Sequence, residues 1–599
     1  MIYHCEDHTC NYWDEGEKLP ERCPQCGRKL LRANEADMTG DDWTALGNTL
    51  WYAEASDKKR MVDCFRKAAY LGSAWGVCNL GICMEQGNGV EADPVQAFWL
   101  YQQAVEMGSL NAVCCLGVCY QYGIGTAPDA EKAAELYCKA AEYGSPRGQM
   151  LLAHAFHDGI GVEADAAEAV HWVRAAAYQR YGEGMYRLGV CYEYGDGVEQ
   201  NWEHAVHWFR EAAESGVSAA MTDLGYCYEK GCGVEQSWEQ AFSWYRRGAE
   251  CGYPVSMSNL GLCYKRGYGV EQNWQEAIKW YEQGAQCGDL QSMHNLACCY
   301  ERGEGVDQNE DRALYWYRRS AEGGNGDAMC NLGRCYERGY GVEQNWQEAV
   351  KWYEQGAQCG NLQSMHNLAC CYEHGEGVEQ NMTEAIRWYT AAAEGGNADA
   401  MHNLGWHYDH GEGVEQDMKK AICWYERAAE QNHPAAMNSL GECYAMGRGV
   451  PRDLETAMEW YRRAAELGEA MADYNMGWHL EQAGKLSEAY AHYRKAADGN
   501  DDSAWWALGR FYENGVVVAQ DGKEARRCYE TGEKLGSVKC KMRLARCKLL
   551  GIGGRREKKA GLDLCRQALE LAKESSEKED YGYEAEMNLL RRTIAENES

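Results

Sequence analysis

The chain has 599 residues, with 92 acidic against 60 basic side chains and a formal net charge of −32, which repels phosphate backbones and argues against nucleic acid as a general partner. No uninterrupted apolar run approaches the roughly 20 residues of a membrane helix, and Met1 opens a polar segment without a signal-peptide core, so a soluble, cytoplasmic protein with no membrane partner is expected. Thirty cysteines would read as a disulfide scaffold in a short secreted chain. Here Cys83, Cys119, Cys191, Cys227, Cys263, Cys299, Cys335, Cys371 and Cys443 recur at one repeat position, spaced by at least one helix packing distance of ~8–10 Å, so free and mostly buried thiols are expected.

Residues 3–30 read YHCEDHTCNYWDEGEKLPERCPQCGRKL. Cys23 and Cys26 in CPQCG have the form of a zinc knuckle, in which the glycine lets the backbone fold around the metal. Cys5 and Cys10 are more widely spaced, and His4 or His8 could replace one of them. Residues 1–30 are therefore expected to be a zinc-ribbon-like domain holding one structural Zn2+ on Cys5, Cys10, Cys23 and Cys26. A closed four-ligand site leaves no position for substrate, so this module is structural or a docking surface. Residues 31–40 are expected to be a linker.

A 36-residue unit then dominates the chain. Tyr268 to Gly303 returns as Tyr340 to Gly375, with only Ile278/Val350, Asp289/Asn361 and Arg302/His374 changed. Such self-similarity marks a repeat array, in which each unit contacts its neighbours. A leucine marks each unit: Leu46, Leu80, Leu116, Leu152, Leu188, Leu224, Leu260, Leu296, Leu332, Leu368, Leu404 and Leu440, then Met476, Leu508 and Leu544. In the first helix of a unit, Met257, Leu260, Gly261 and Tyr264 fall on one face, and the small residue admits a partner helix. Gly267 and Gly269 end that helix and turn the chain. The second helix starts at Asp93, Asp129, Asp165, Asn201, Ser237, Asn273, Asn309, Asn345, Asn381, Asp417 or Asp453, each suited to an N-cap. Four residues on, every one of these units has alanine, from Ala97 and Ala133 through to Ala457, which marks the closest approach of two helices. Gly288 sits where a left-handed helix end is expected, and Arg180 replaces that glycine in one unit.

The pattern LGxCYExGxGVEQNxxEAxxWYxxAAExG resembles the Sel1-like repeat, a relative of the tetratricopeptide repeat, over residues 41–570. The resemblance implies an all-α, right-handed α-solenoid of about fifteen helix-turn-helix units, whose first helices line a concave surface. It also implies a scaffold or adaptor for protein complexes. Residues 571–599 are expected to cap the open end with a last helix.

Asparagines stand directly before the marker leucine in several units, and Asn259, Asn295, Asn331, Asn367 and Asn403 form an unbroken run. An Asn side chain offers a donor and an acceptor, as a peptide unit does, which suits sequence-tolerant binding of an extended chain. The bland reading is that these amides bond only to neighbouring helices or water. His294, His366 and His402, with His374, His407 and His410, could bind metal or act as bases, but rows of this kind arise by duplication alone. Trp280, Trp316, Trp352, Trp388 and Trp424 are expected in the core. No GxxxxGK[ST], GxSxG or HExxH motif occurs. The expected function is therefore a non-enzymatic scaffold binding an extended basic peptide or protein. A secreted, host-directed binding protein and an accessory subunit of a partner enzyme stand as alternatives.

Overall fold

The computed structural model describes the backbone of residues 2–5, 13–15, 30–32, 35–51, 55–578 and 584–598. Three short strands, β1 (Ile2–Cys5), β2 (Trp13–Glu15) and β3 (Leu30–Arg32), form an antiparallel sheet in the order β2-β1-β3. The register sets His4 opposite Trp13 and Cys5 opposite Leu30. The zinc-ligand assignment to Cys5, Cys10, Cys23 and Cys26 falls outside the described residues, since of the four only the backbone of Cys5 is described.

Thirty helices follow one another from Gly40 to Lys578, with a further helix at Glu584–Glu598. The described chain forms two compact units, residues 1–309 and 310–599. Each unit is an α-solenoid of stacked helix pairs, the expected fold class. Pro254–Arg266 and Trp274–Gln286 are a representative pair of 13 residues each. Within each unit, second helices pack on their own first helix and on the next first helix, and several successive first helices, such as Pro254–Arg266 and Leu290–Arg302, also touch one another. One face of each stack is thus built from first helices alone.

The pairing contact is a glycine against an aromatic ring. A Cβ added at Gly261 would stand 2.5 Å from the Tyr281 ring, and Gly81, Gly333 and Gly441 approach Tyr101, Tyr353 and Tyr461 at 2.5–2.7 Å in the same sense. These tyrosines are among the largest fully buried side chains. Where the glycine becomes Ala153 or Ala545, the ring position becomes Val173 or Cys565, packed in the same core cluster, so volume is conserved across the joint. Ala369 faces Tyr389 without that relief. The alanines from Ala97 to Ala457 lie beside these contacts and are all buried.

The tyrosine hydroxyl is then tied back to the first helix. Tyr101 donates to Glu85 at 2.6 Å, Tyr245 to Glu229 at 2.9 Å, Tyr389 to Glu373 at 2.6 Å and Tyr529 to Glu513 at 2.8 Å. In the pair built on Tyr281 the acceptor position is Lys265, and the buried Tyr281 hydroxyl has no partner.

The loops follow the sequence reading. Asp93, Asp129, Asp165, Asn201, Ser237, Asn273, Asn345, Asn381, Asp417 and Asp453 all cap second helices by accepting from a backbone N–H two or three residues on. Arg180 takes the left-handed φ of +59° that glycine occupies in most units. Every described cysteine is free, and eight of the nine in register are buried, Cys191 being half-buried.

The tryptophan row departs from expectation. Trp280, Trp316, Trp352, Trp388 and Trp424 are half-buried at the edge of the core, while the tyrosine one residue on is buried completely. Adjacent helical residues diverge by about 100°, so only one of a Trp-Tyr pair can face the partner helix. The indoles carry cations instead, with Arg427 at 4.3 Å from the Trp424 ring and Arg463 at 4.5 Å from Trp460.

The glycine contact yields a direct test. Gly261→Ala is expected to destabilise by about 1–3 kcal/mol in denaturant unfolding, because the added methyl meets a buried ring. The pair Gly261→Ala with Tyr281→Val, which copies the Ala153 and Val173 solution, is expected to cost less than the sum of its single changes. Additive costs would show that the two positions are not one packing unit.

Candidate functional site: a polar seam on the first-helix face

The five asparagines lie at one register on successive first helices, Asn259 and Asn295 in one unit and Asn331, Asn367 and Asn403 in the other, and all are half-buried. Their amides are not equally engaged. Asn259 makes no hydrogen bond to the protein. Asn295 accepts from Gln291 at 3.2 Å, and Asn331 accepts from Arg334 at 3.3 Å. Asn367 accepts from Gln363 at 3.1 Å and donates to Cys330 Sγ at 3.6 Å. Asn403 Nδ2 donates to His366 Nε2 at 3.2 Å. The reach from Asn367 to Cys330 and from Asn403 to His366 spans 37 residues, so these amides stitch neighbouring first helices.

Around Asn403 the seam becomes a histidine network that the sequence left as a bare row. His366 Nδ1 stands 3.3 Å from both Asn367 Oδ1 and Gln363 Nε2, while its Nε2 meets Asn403. His402 stacks on His433, with ring centroids 5.1 Å apart, and lies 3.4 Å from Ser439 Oγ. His433 caps the helix Pro434–Met446 through Nδ1 and meets Asp399 at 3.1 Å through Nε2. One repeat further, Asn475 donates to Asn438 at 3.0 Å and to Glu442 at 3.2 Å, and Arg448 bonds the buried Asp409 at 2.9 Å.

Burial, with His433 adding to it, holds the His402 ring down at about 4, against Asn403 and Asp399. His366 is lowered by burial as well. The bond from His433 holds the Asp399 carboxyl below its usual range, and burial pushes Glu442 up despite Arg448 and the two asparagines. His407, 1% exposed, donates from Nδ1 to the Glu412 carbonyl at 3.1 Å and lies 3.7 Å from Glu373. Among the described residues no group of three or more His, Cys, Asp or Glu is arranged to hold a metal ion. The chemistry available here is hydrogen bonding to peptide groups and attraction of cations.

Where the asparagine row breaks off in the first unit, Cys115 takes its register and accepts from Arg147 at 3.5 Å, and Asp223 is a half-buried carboxyl pushed up by its partial burial. The repeat alignment could have shown these substitutions. The partners across repeats could not be read, because an offset of 37 residues depends on how one helix is shifted against the next.

The histidines fix a pH dependence with a definite sign. A neutral histidine with a folded value below its unfolded one favours the folded state above about pH 6.5 and loses that contribution as pH falls toward about 4, since the unfolded chain then binds more protons. Asp399 acts in the same direction at lower pH. His402→Gln is therefore expected to flatten the fall in melting temperature between about pH 7 and pH 4.5, removing up to about 3 kcal/mol of dependence. Parallel melting curves for both proteins would refute this account.

The geometry invites comparison with known proteins. The Sel1 repeat family profile matches fourteen times, from 76–109 through 182–217, 254–289 and 398–433 to 538–573. A structure of c5321, described as a protective antigen present in uropathogenic Escherichia coli strains and displaying an SLR fold, is 32% identical, with a TM-score of 0.52 over 75% of this chain and 97% of that one. A Sel1 repeat protein from Oxalobacter formigenes is 32% identical, with a TM-score of 0.37 over 41% of this chain and 96% of its own. Yeast Tom70 is 14% identical, with a TM-score of 0.32 over 88% of this chain and 96% of its own. No curated protein matches. No described helix is long and apolar enough to cross a membrane. With matched repeats covering most of its length, the chain belongs to the Sel1 repeat family.

Proposed function

We propose that this protein is a non-enzymatic, cytoplasmic scaffold that holds an extended basic peptide along its first-helix face through Asn259, Asn295, Asn331, Asn367 and Asn403. Repeat folds of this type typically serve protein–protein interaction. The observation that carries the reading is the position of five half-buried amides at one register, each with a donor and an acceptor that match a peptide backbone. The net charge of −32 supports a basic partner. The internal bonds grade the contributions. Asn259 would contact ligand without giving up a bond, whereas Asn403 would have to release His366.

The deciding experiment is a pull-down from native lysate read by mass spectrometry, with wild type against the variant Asn295→Ala, Asn331→Ala, Asn367→Ala and Asn403→Ala, and against Asn259→Ala alone. A partner enriched by wild type, reduced by Asn259→Ala and lost by the folded fourfold variant supports the reading. The same partner held equally by all three removes the asparagine row as the binding site.

The Zn2+ site belongs to this proposal as a second docking module. The spacing of Cys23 and Cys26 in CPQCG supports it. Metal analysis of purified protein is expected to find one zinc per chain, lost in Cys23→Ser with Cys26→Ser. Zinc content unchanged by that variant would reject the assignment.

A host-directed protein working outside the producing cell is the second reading, favoured by the similarity to an E. coli protein described as a protective antigen. Thiol titration of denatured protein separates the two. Nearly all thiols free supports the cytoplasmic scaffold, and extensive oxidation supports the other reading.

A further inference from the structure

Two thiols meet between first helices in the unit 1–309. Cys78 stands two residues before the marker Leu80 on the helix Ala74–Gln86, and Cys115 one residue before Leu116 on the next first helix, Leu110–Tyr122. Their offset of 37 residues is the one that joins Asn367 to Cys330, Asn403 to His366 and Asn475 to Asn438. The diagonal step that elsewhere brings two polar groups together here brings two sulfurs together. It escapes the helix spacing that keeps cysteines in strict 36-residue register apart.

A ring of polar contacts closes around the pair. Asn111 Nδ2 donates to Cys78 Sγ at 3.7 Å, its Oδ1 accepts from Arg147 Nη1 at 2.6 Å, and the same Nη1 donates to Cys115 Sγ at 3.5 Å. The Cys78 thiol completes the ring as a donor to the Cys115 sulfur. That bond, with the Arg147 guanidinium beside it, holds the Cys115 thiol below its usual range despite burial and pushes Cys78 up. On the same two helices burial alone pushes Cys83 up to about 12, and Cys119 reaches about 12 chiefly by burial. Cys114, next in the chain to Cys115, is pushed up by burial as well. A thiolate held by a cation and faced by a protonated thiol sets one sulfur as nucleophile and the other as its resolving partner. Cys78 is fully buried and Cys115 4% exposed, under the exposed Arg147 side chain. A reagent the size of hydrogen peroxide needs only that side chain to move.

We propose that Cys78 and Cys115 form a peroxide-sensitive pair, in which Cys115 is oxidised first and a reversible disulfide then joins two neighbouring repeats. The Cys115 thiolate attacks one oxygen of hydrogen peroxide, the O–O bond breaks, and hydroxide leaves and takes up a solvent proton to become water. The Cys78 sulfur then attacks the sulfenic acid on Cys115. The S–S bond forms, the S–O bond breaks, and the departing oxygen leaves with the Cys78 proton as a second water. Two thiols and one peroxide thus give one disulfide and two waters, and a thiol reductant reverses the bond by exchange. The disulfide removes the anion from Arg147 and ties the matched repeats 76–109 and 112–145 covalently.

The test treats the full-length protein, reduced and then freed of reductant, with hydrogen peroxide near neutral pH. Remaining thiols are blocked with N-ethylmaleimide, and the chain is cut by a glutamate-specific protease, which cleaves between the two positions at Glu91 and Glu106. Fragment-ion mass spectrometry then identifies the linked sulfurs. The Cys78–Cys115 link is expected to form before the exposed Cys251, Cys287, Cys359 and Cys423 are oxidised, and to disappear with dithiothreitol. Cys78→Ser is expected to stop at a Cys115 sulfenic acid that dimedone traps, and Cys115→Ser to give neither product. Cys78→Ala carries the first arm if the serine variant shows no thermal unfolding transition. Arg147→Gln is expected to slow oxidation roughly tenfold and to move the pH profile of Cys115 alkylation up by about one unit, whereas Arg147→Lys, which keeps the charge, stays within about threefold of wild type. The pH profile is the readout that a merely structural role for Arg147 would leave in place. The proposal is overturned if peroxide leaves the pair reduced, if other thiols are linked or oxidised first, or if Arg147→Gln reacts as wild type does.

Discussion

Everything else in the two stacks depends on a glycine in one helix meeting an aromatic ring in the next. At Gly261 and Tyr281 the approach leaves no room for a methyl group, so the two helices come together at backbone distance over the buried alanine of the second helix. That closeness sets the tilt and offset of each pair, and the same geometry recurs unit after unit. Paired exchanges at Ala153 with Val173 and at Ala545 with Cys565 hold the total volume at the joint while the individual residues change, whereas Ala369 meets the full Tyr389 ring without such an exchange.

Once the pairs are set, polar groups are ordered in two tiers. Inside a pair, the tyrosine hydroxyl and a glutamate at the end of the first helix satisfy each other in a setting too dry for water to do it. Between pairs, the seam of asparagine, histidine and cysteine runs over the first-helix face. The seam is where the unit containing Asn367 and Asn403 has acquired individuality: near-duplicate repeats elsewhere carry the same amides, yet only here do His402 and His433 stack and Asp399 join them. Duplication supplied the row, and the local partners turned part of it into a network.

Much of this was legible in the residues, and the part that was not has a common cause. The period, the N-caps and the buried alanines all follow from positions on a single helix or loop, which sequence spacing reports faithfully. The asparagine row was legible as a register, but not its bonding, because Asn403 meets His366 rather than its own counterpart. The tryptophans were read as core because they adjoin core tyrosines, although a helix cannot turn both residues of a Trp-Tyr pair inward. The zinc segment rests on cysteine spacing alone.

The two tiers of hydrogen bonds also divide the energetics of the array. Tyrosine–glutamate bonds close within one repeat and so add to the intrinsic stability of that repeat, whereas the bonds spanning 37 residues belong to the coupling between neighbours. In a one-dimensional array these quantities govern different behaviour: the first decides whether a repeat is folded, and the second decides how many repeats unfold together. The pair built on Tyr281, whose hydroxyl lacks its acid, is then a place where intrinsic stability dips, and the stretch around Asn367 and Asn403 is one where bonds between neighbours add to the coupling.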